Sequence, residues 1–225
     1  MVTHAPWLRS AGLAHAFLGA AQCGAGRDWT GVLEALDLAI PLFAPQQVHG
    51  ATVVLAAPPA DSPPDADGAV VDHRGLLVGV VTADCAPVLL LDAERRVAAA
   101  VHAGWRGAAA GVIESGVARL LSRGARTSGL TAAIGPAVGG CCYEVGEEVR
   151  EAFVETSTDC TADAWSRQGN SLRLDLRLAI RRLLETAGIS RVDVVGPCTV
   201  CGDGYHSYRR DGARAGRQLS FIGWR

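Results

Sequence analysis

The chain contains no lysine, and all 21 of its basic residues are arginine. Schiff-base and lysine general-base mechanisms are therefore excluded at once. No apolar run reaches the roughly 18 residues that span a bilayer, and the N-terminus, MVTHAPWLRSAGLAHAF, has no basic start followed by a long apolar core. Neither a membrane span nor a secretory signal is expected. Charge of one sign is not in excess either: the formal net charge is −2 and the arginines are spread along the chain, which argues against nucleic acid as a partner. There is no internal repeat, no low-complexity tract and no HxH motif. What is present is a globular composition, 49% hydrophobic and 20% charged over 225 residues, which predicts one domain over residues 1–225 that acts as a monomer or small homo-oligomer. Seven cysteines, an odd number, without an export signal predict a cytoplasmic protein with reduced thiols, free for metal binding or catalysis.

The most informative stretch is 76–107, LLVGVVTADCAPVLLLDAERRVAAAVHAGWRG. Apolar runs at 77–82, 86–91 and 96–101, separated by turn residues, predict three strands in a meander. The polar tetrad Asp92, Ala93, Glu94 and Arg95 is the expected turn between the last two. A symmetric turn that faces Leu91 with Arg96 sets Cys85 opposite His102, on one face and with Cβ atoms about 4.5 to 5.5 Å apart. That spacing suits a thiolate and an imidazole on one metal ion, and a slip of one residue would abolish it.

Elsewhere, 12–18 predicts a first strand and 28–39, with Asp28 as cap, a short helix. His49 falls between two strand-like runs, after Gln46 and Gln47, and is the available third ligand. Asp65, Asp67 and Asp72 lie in or beside a Pro-rich loop without the spacing of a calcium site and read as turn residues. Helical spacing over 109–121 predicts an amphipathic helix whose N-terminus, next to Arg106 and the glycines of HAGWRG, suits an anion such as phosphate; a mere strand-to-helix turn explains the glycines equally well. Residues 130–153 read as a buried strand, a glycine-rich bend and a helix, and 156–170 as a polar loop. A further helix follows, capped by Asp175 and stopped by Gly188, then the strand VDVVG and a final strand at the C-terminus. Adjacent Cys141 and Cys142 are expected to face opposite ways, one of them in the core. Cys198 and Cys201 form a single CxxC, alone a weak zinc signal, with Cys141 or Cys142 as conceivable partners. Tyr205, Tyr208, Arg209 and Arg210 are concentrated enough to line a ligand site. The irregular alternation of elements predicts an α+β fold with mixed β-sheets flanked by helices.

Two histidines and one cysteine make a three-ligand zinc site that keeps a position for water, whose pKa the metal lowers to about 7. Asp84 is then a supporting residue. Alternatively Cys85 is itself a nucleophile activated by His102. The residues alone leave both open.

QQVHG, TADCAPVLL, VHAGWRG, IGPAVGGCCYEVG and SYRRDG with ARAGRQ resemble, over about residue 45 to the C-terminus, the bacterial family labelled laccase-domain or polyphenol oxidoreductase. That family is also called peptidoglycan editing factor and purine nucleoside phosphorylase. The resemblance implies an α+β fold similar to the catalytic core of cytotoxic necrotizing factor, and Zn2+ held by His49, Cys85 and His102. It also implies phosphorolysis of adenosine, inosine, guanosine and methylthioadenosine, together with hydrolytic deamination of adenosine. Catalysis then falls to Cys85, His102 and Arg106, with phosphate near Arg106 and the purine against Tyr143, Tyr208 or Arg209. The alternative is a Cys85/His102 cysteine hydrolase acting on a peptidoglycan precursor. A genuine multicopper laccase is rejected, since four coppers need about ten His and Cys ligands and this chain has six histidines. The chain also lacks the N-terminal Arg-x-Gly-Gly-Val-Ser segment common in relatives.

Overall fold

The computed structural model describes residues 1–23, 29–57, 63–156 and 159–225. A five-stranded sheet runs in the order β1 (Val2–Thr3), β2 (Leu13–Leu18), β14 (Gln218–Trp224), β6 (Leu76–Thr82) and β3 (Leu42–Phe43). A six-stranded sheet runs β13 (Arg191–Val194), β9 (Leu130–Ile134), β7 (Ala86–Asp92), β8 (Val97–Ala103), β5 (Gly68–Val71) and β4 (Val53–Leu55). Both are mixed: β3–β6, β4–β5 and β9–β13 pair parallel, the remaining neighbours antiparallel. A small antiparallel sheet of β10 (Glu144–Val145), β12 (Ser171–Leu174) and β11 (Trp165–Gln168) completes the β structure among the described residues. Helices are α1 (Ala20–Cys23), α2 (Trp29–Glu34), α3 (Trp105–Ala109), α4 (Val112–Ser122), α5 (Glu147–Thr156), α6 (Leu176–Thr186) and α7 (Tyr208–Asp211). This is the α+β class that the alternation of elements predicts.

The two large sheets stack, and the alternation of side chains along β7 shows how. Leu89 and Leu91 meet Phe17, Val78, Val80, Ile222 and Trp224 of the facing sheet. Val88 and Leu90 point the other way, onto Val112, Ile113 and Leu120 of α4 and Ile180 and Leu184 of α6. Both faces being covered, β7 reads as an unbroken apolar run rather than an alternating one. On the far side, Leu33 of α2 closes over Leu18, Leu77 and Phe221. The layers are helix, sheet, sheet, helix.

Four expectations change. The predicted meander does not form, because β6 belongs to one large sheet and β7 to the other. The chain crosses between the sheets at residues 83–85, where Asp84 takes φ 90°. The β7–β8 turn is displaced by one residue, to 93–96, with Arg96 at φ 55°. Asp92 stays in the strand and faces Val97, so His102 lies opposite Pro87 and Cys85 is outside the ladder. The displacement moves the register by two residues, which preserves the face on which each side chain lies. The expected helix over 109–121 is split at Gly111, which at φ 87° precedes α4. The stretch 156–170, expected to be a loop, contains β11, whose partner β12 shares it with β10. Asp175 caps α6 as expected, accepting from Leu178 N–H at 3.1 Å, and Gly188 follows it at φ 88°. Asp28 lies outside the described residues.

Candidate active site

Cys85 leaves the crossing between the sheets, His102 the end of β8, and His49 the loop before β4. His49 itself adopts φ 61°, a conformation that side-chain-bearing residues rarely take. Its loop is clamped from both sides. Gln47 reads the backbone of β6, its Nε2 donating to Val81 O and its Oε1 accepting from Val81 N–H, each at 2.8 Å. Asp67, fully buried, takes the rest: Oδ1 accepts from His49 N–H at 2.9 Å and Oδ2 from Gly50 N–H at 2.6 Å and Val48 N–H at 3.3 Å. The left-handed turn thus aims three amides at one carboxylate, which outweighs its local strain.

The same Asp67 Oδ1 lies 2.8 Å from His102 Nδ1. Burial by itself would raise the Asp67 pKa, but its bonds to His102, Gly50 and His49 bring it below the ordinary value. An ionised carboxylate only accepts, so Nδ1 of His102 carries a proton, and Nε2 is the nitrogen left to hold a metal. One ligand atom each from His49, Cys85 and His102 lie within 4.8 Å of one another, and the two imidazoles meet edge to face with centroids 4.8 Å apart. Gly104 completes the packing, since a Cβ there would stand 2.9 Å from the Cys85 sulfur and 3.4 Å from His49 Cδ2. A thiol and two imidazoles, one of them oriented by a carboxylate, are the donor set a zinc ion takes when one position is left open. Without a metal, the group is an ion pair. Burial would raise the Cys85 pKa, yet hydrogen bonds from His102 and His49 bring it down to about 6. Burial would lower that of His102, yet Asp67 and Cys85 push it up to about 9.

Around this centre the structure gathers some of the expected substrate residues. Burial and the nearby Cys85 charge push the Tyr143 hydroxyl up to about 12, against the opposing pull of Arg209 and Arg106. The Arg209 guanidinium stands over the Tyr143 ring at 5.3 Å and donates to Glu144 O. Arg106 is exposed and stacks on Trp105 at 4.3 Å. It opens only the five-residue α3, so the long helix dipole expected beneath a phosphate is missing. Tyr208 is 57% exposed, with the Arg217 guanidinium 6.0 Å from its ring.

Asp84 is a fastener. Its Oδ1 accepts from Thr199 Oγ1 and its Oδ2 from Arg209 N–H, both at 2.6 Å, which ties the tail to the residue beside Cys85. Asp67, read from sequence as a turn residue, is the principal correction. The turn composition around it carried no sign that a residue 35 positions before His102 would hold that ring.

Fold and site together define a mixed α+β protein organised around a one-cysteine, two-histidine candidate metal centre. The profile of the family described as multi-copper polyphenol oxidoreductase laccase matches residues 27–225, and the chain belongs to that family. It is 39% identical over 179 residues to a Deinococcus radiodurans protein named purine nucleoside phosphorylase, across 79% of this chain and 68% of that one. A Streptomyces coelicolor protein of the same name is 40% identical over 179 residues, across 78% of this chain and 72% of its own. The crystal structure of a Neisseria meningitidis protein is similar with a TM-score of 0.86 and 31% identity, covering 99% of this chain and 98% of that one.

Proposed function

We propose that this chain is a zinc-dependent purine nucleoside enzyme that carries out phosphorolysis of adenosine, inosine, guanosine or methylthioadenosine, and hydrolytic deamination of adenosine. The observation that carries the proposal is the convergence of His49, Cys85 and His102 within 4.8 Å, in a chain whose relatives bear the name purine nucleoside phosphorylase. Zinc held by these three residues supplies Lewis acidity at neutral pH. Asp67 fixes the His102 tautomer and the path of the His49 loop. Tyr143, kept protonated by its surroundings, offers an aromatic face for the purine and an O–H donor. Arg106 and Arg209, whose charges both act on Tyr143, supply the positive charge that phosphate requires.

The family description notwithstanding, four coppers are not a good match for these side chains. Of six histidines, His4 and His15 pack on each other away from the centre, and only His49 and His102 join a cluster of possible ligands among the described residues.

Chromatography of adenosine incubated with and without phosphate tests the reading. Adenine formed only with phosphate supports phosphorolysis, inosine formed without phosphate supports deamination, and neither product overturns the purine assignment. The thiolate and imidazolium character of Cys85 and His102 favours one rival, a Cys85 hydrolase acting on a peptidoglycan precursor. Protein that holds no metal but forms an acyl adduct on Cys85 would establish the rival instead.

A further inference from the structure

Four of the seven cysteines lie together outside the candidate active site. Cys141 and Cys142 belong to the bend after β9, and Cys198 and Cys201 to the loop after β13. All four sulfurs lie within 4.8 Å of one another. The Cys141 and Cys201 sulfurs are 3.6 Å apart. Two sulfurs bound to a common tetrahedral zinc at about 2.3 Å each are about 3.8 Å apart, whereas a disulfide requires about 2.05 Å. All four are free thiols. We propose that Cys141, Cys142, Cys198 and Cys201 form a second metal site, a structural zinc tetrathiolate.

The backbone explains how adjacent cysteines share one ion. In an extended strand adjacent cysteines face opposite ways and one of them would enter the core, yet Cys141 is exposed and Cys142 half-buried. Here Cys142 N–H and Tyr143 N–H both donate to Gly139 O, at 2.9 and 3.1 Å, which makes the segment a helical turn with successive side chains about 100° apart. Across the gap, Gly202 N–H donates to Cys198 O at 2.8 Å and closes the CxxC turn. The Cys198 sulfur accepts from Gly139 N–H at 3.3 Å, an arrangement that favours a thiolate. Four thiolates around one Zn2+ carry a net charge of −2, and two arginines stand beside them. Arg173 donates to Cys141 O, Arg177 Nη2 borders Gly139, and Nε of each is buried without a hydrogen-bond partner. With all four positions filled by sulfur, no position remains for substrate, so the ion is structural.

Its place in the fold gives it a purpose. Thr199, inside the CxxC, donates its N–H to Ala137 O at 3.1 Å and its hydroxyl to Asp84 at 2.6 Å. Arg210 Nη1 donates to Thr199 O and Val200 O, at 2.9 and 3.1 Å. The zinc thus staples the bend that carries Tyr143 to the segment that carries Arg209.

The test is the zinc content of the full-length protein, purified without chelator under reducing conditions. Cys201→Ser is expected to hold one zinc fewer per chain than wild type, and Cys85→Ala to keep the ion that Cys201→Ser loses. Equal zinc in wild type and Cys201→Ser overturns the proposal. Should Cys201→Ser fail to fold, alkylation of wild type followed by peptide mass spectrometry decides. Protection of all four cysteines by zinc, lost on chelation, supports the site. Equal labelling with and without chelator, or a Cys141–Cys201 disulfide in protein alkylated at lysis, overturns it.

Discussion

Replacing Asp67 by asparagine keeps the size of the side chain and removes one accepting oxygen. If the amide oxygen stays on His102 and His49, its NH2 opposes the N–H groups of Gly50 and Val48, which now sit 2.6 and 3.3 Å from the carboxylate. Flipped, it opposes His102 Nδ1–H and His49 N–H instead. Either way two donors, part-buried at the His49 loop or buried at His102, lose their acceptor. At about 1–3 kcal/mol each, the expected loss of stability is about 2–6 kcal/mol. The His49 turn then relaxes from its left-handed conformation and the His102 tautomer is no longer imposed, so zinc affinity is expected to fall about 10- to 100-fold. Competition with a chromophoric chelator measures the affinity, and urea unfolding with and without zinc separates it from stability. An affinity within about twofold of wild type would refute the role given to Asp67 as the organiser of the centre.

Gly104→Ala tests the same centre without changing any hydrogen bond. Gly104 has φ −78°, which alanine accepts, so the effect comes from a Cβ placed 2.9 Å from the Cys85 sulfur; about a tenfold loss of zinc affinity with near-normal stability is expected, and unchanged affinity would count against the packing described. Burial first, and then the neighbouring His4, lower the His15 pKa to about 4 from 6.5, so between those values the unfolded chain binds a proton that the folded one refuses and stability falls as pH falls. Full burial would make this about 3 kcal/mol, and partial solvent screening brings it to about 1–2 kcal/mol; comparing urea midpoints of wild type and His15→Gln at pH 7 and pH 4 should show the smaller loss in the variant. Leu90→Ala removes a fully buried side chain between β7 and the helices and should cost about 2–5 kcal/mol, seen as a fall in Tm of roughly 5–15 °C.

The strands around the centre were legible because they are apolar runs broken by turn residues, and β6, β7 and β8 fall within a residue or two of the runs that predict them. The same local signal could not show that β6 and β7 enter different sheets. Cys85 and His102 do come together, but not as facing residues of the hairpin, whose register lies two residues from the expected one. The even displacement keeps each ladder side chain, His102 included, on the face expected of it, whereas the position of Cys85 is set by the crossing between the sheets at 83–85. The helical period over 109–121 was visible, whereas the break depended on Gly111 adopting a positive φ. The polar composition of 156–170 concealed β11, which forms on β12, a strand it shares with β10.

By itself the sequence determined the residue types that this chemistry needs and the α+β class, since each follows from composition and from periods of two or three to four residues. Only the tertiary structure decided that Asp67 holds His102, that Gly104 leaves room for the Cys85 sulfur, and that four cysteines from two distant segments converge. Those contacts join residues tens of positions apart, and what selects them is the stacking of the two large sheets on one buried core, to which no local pattern in the chain refers.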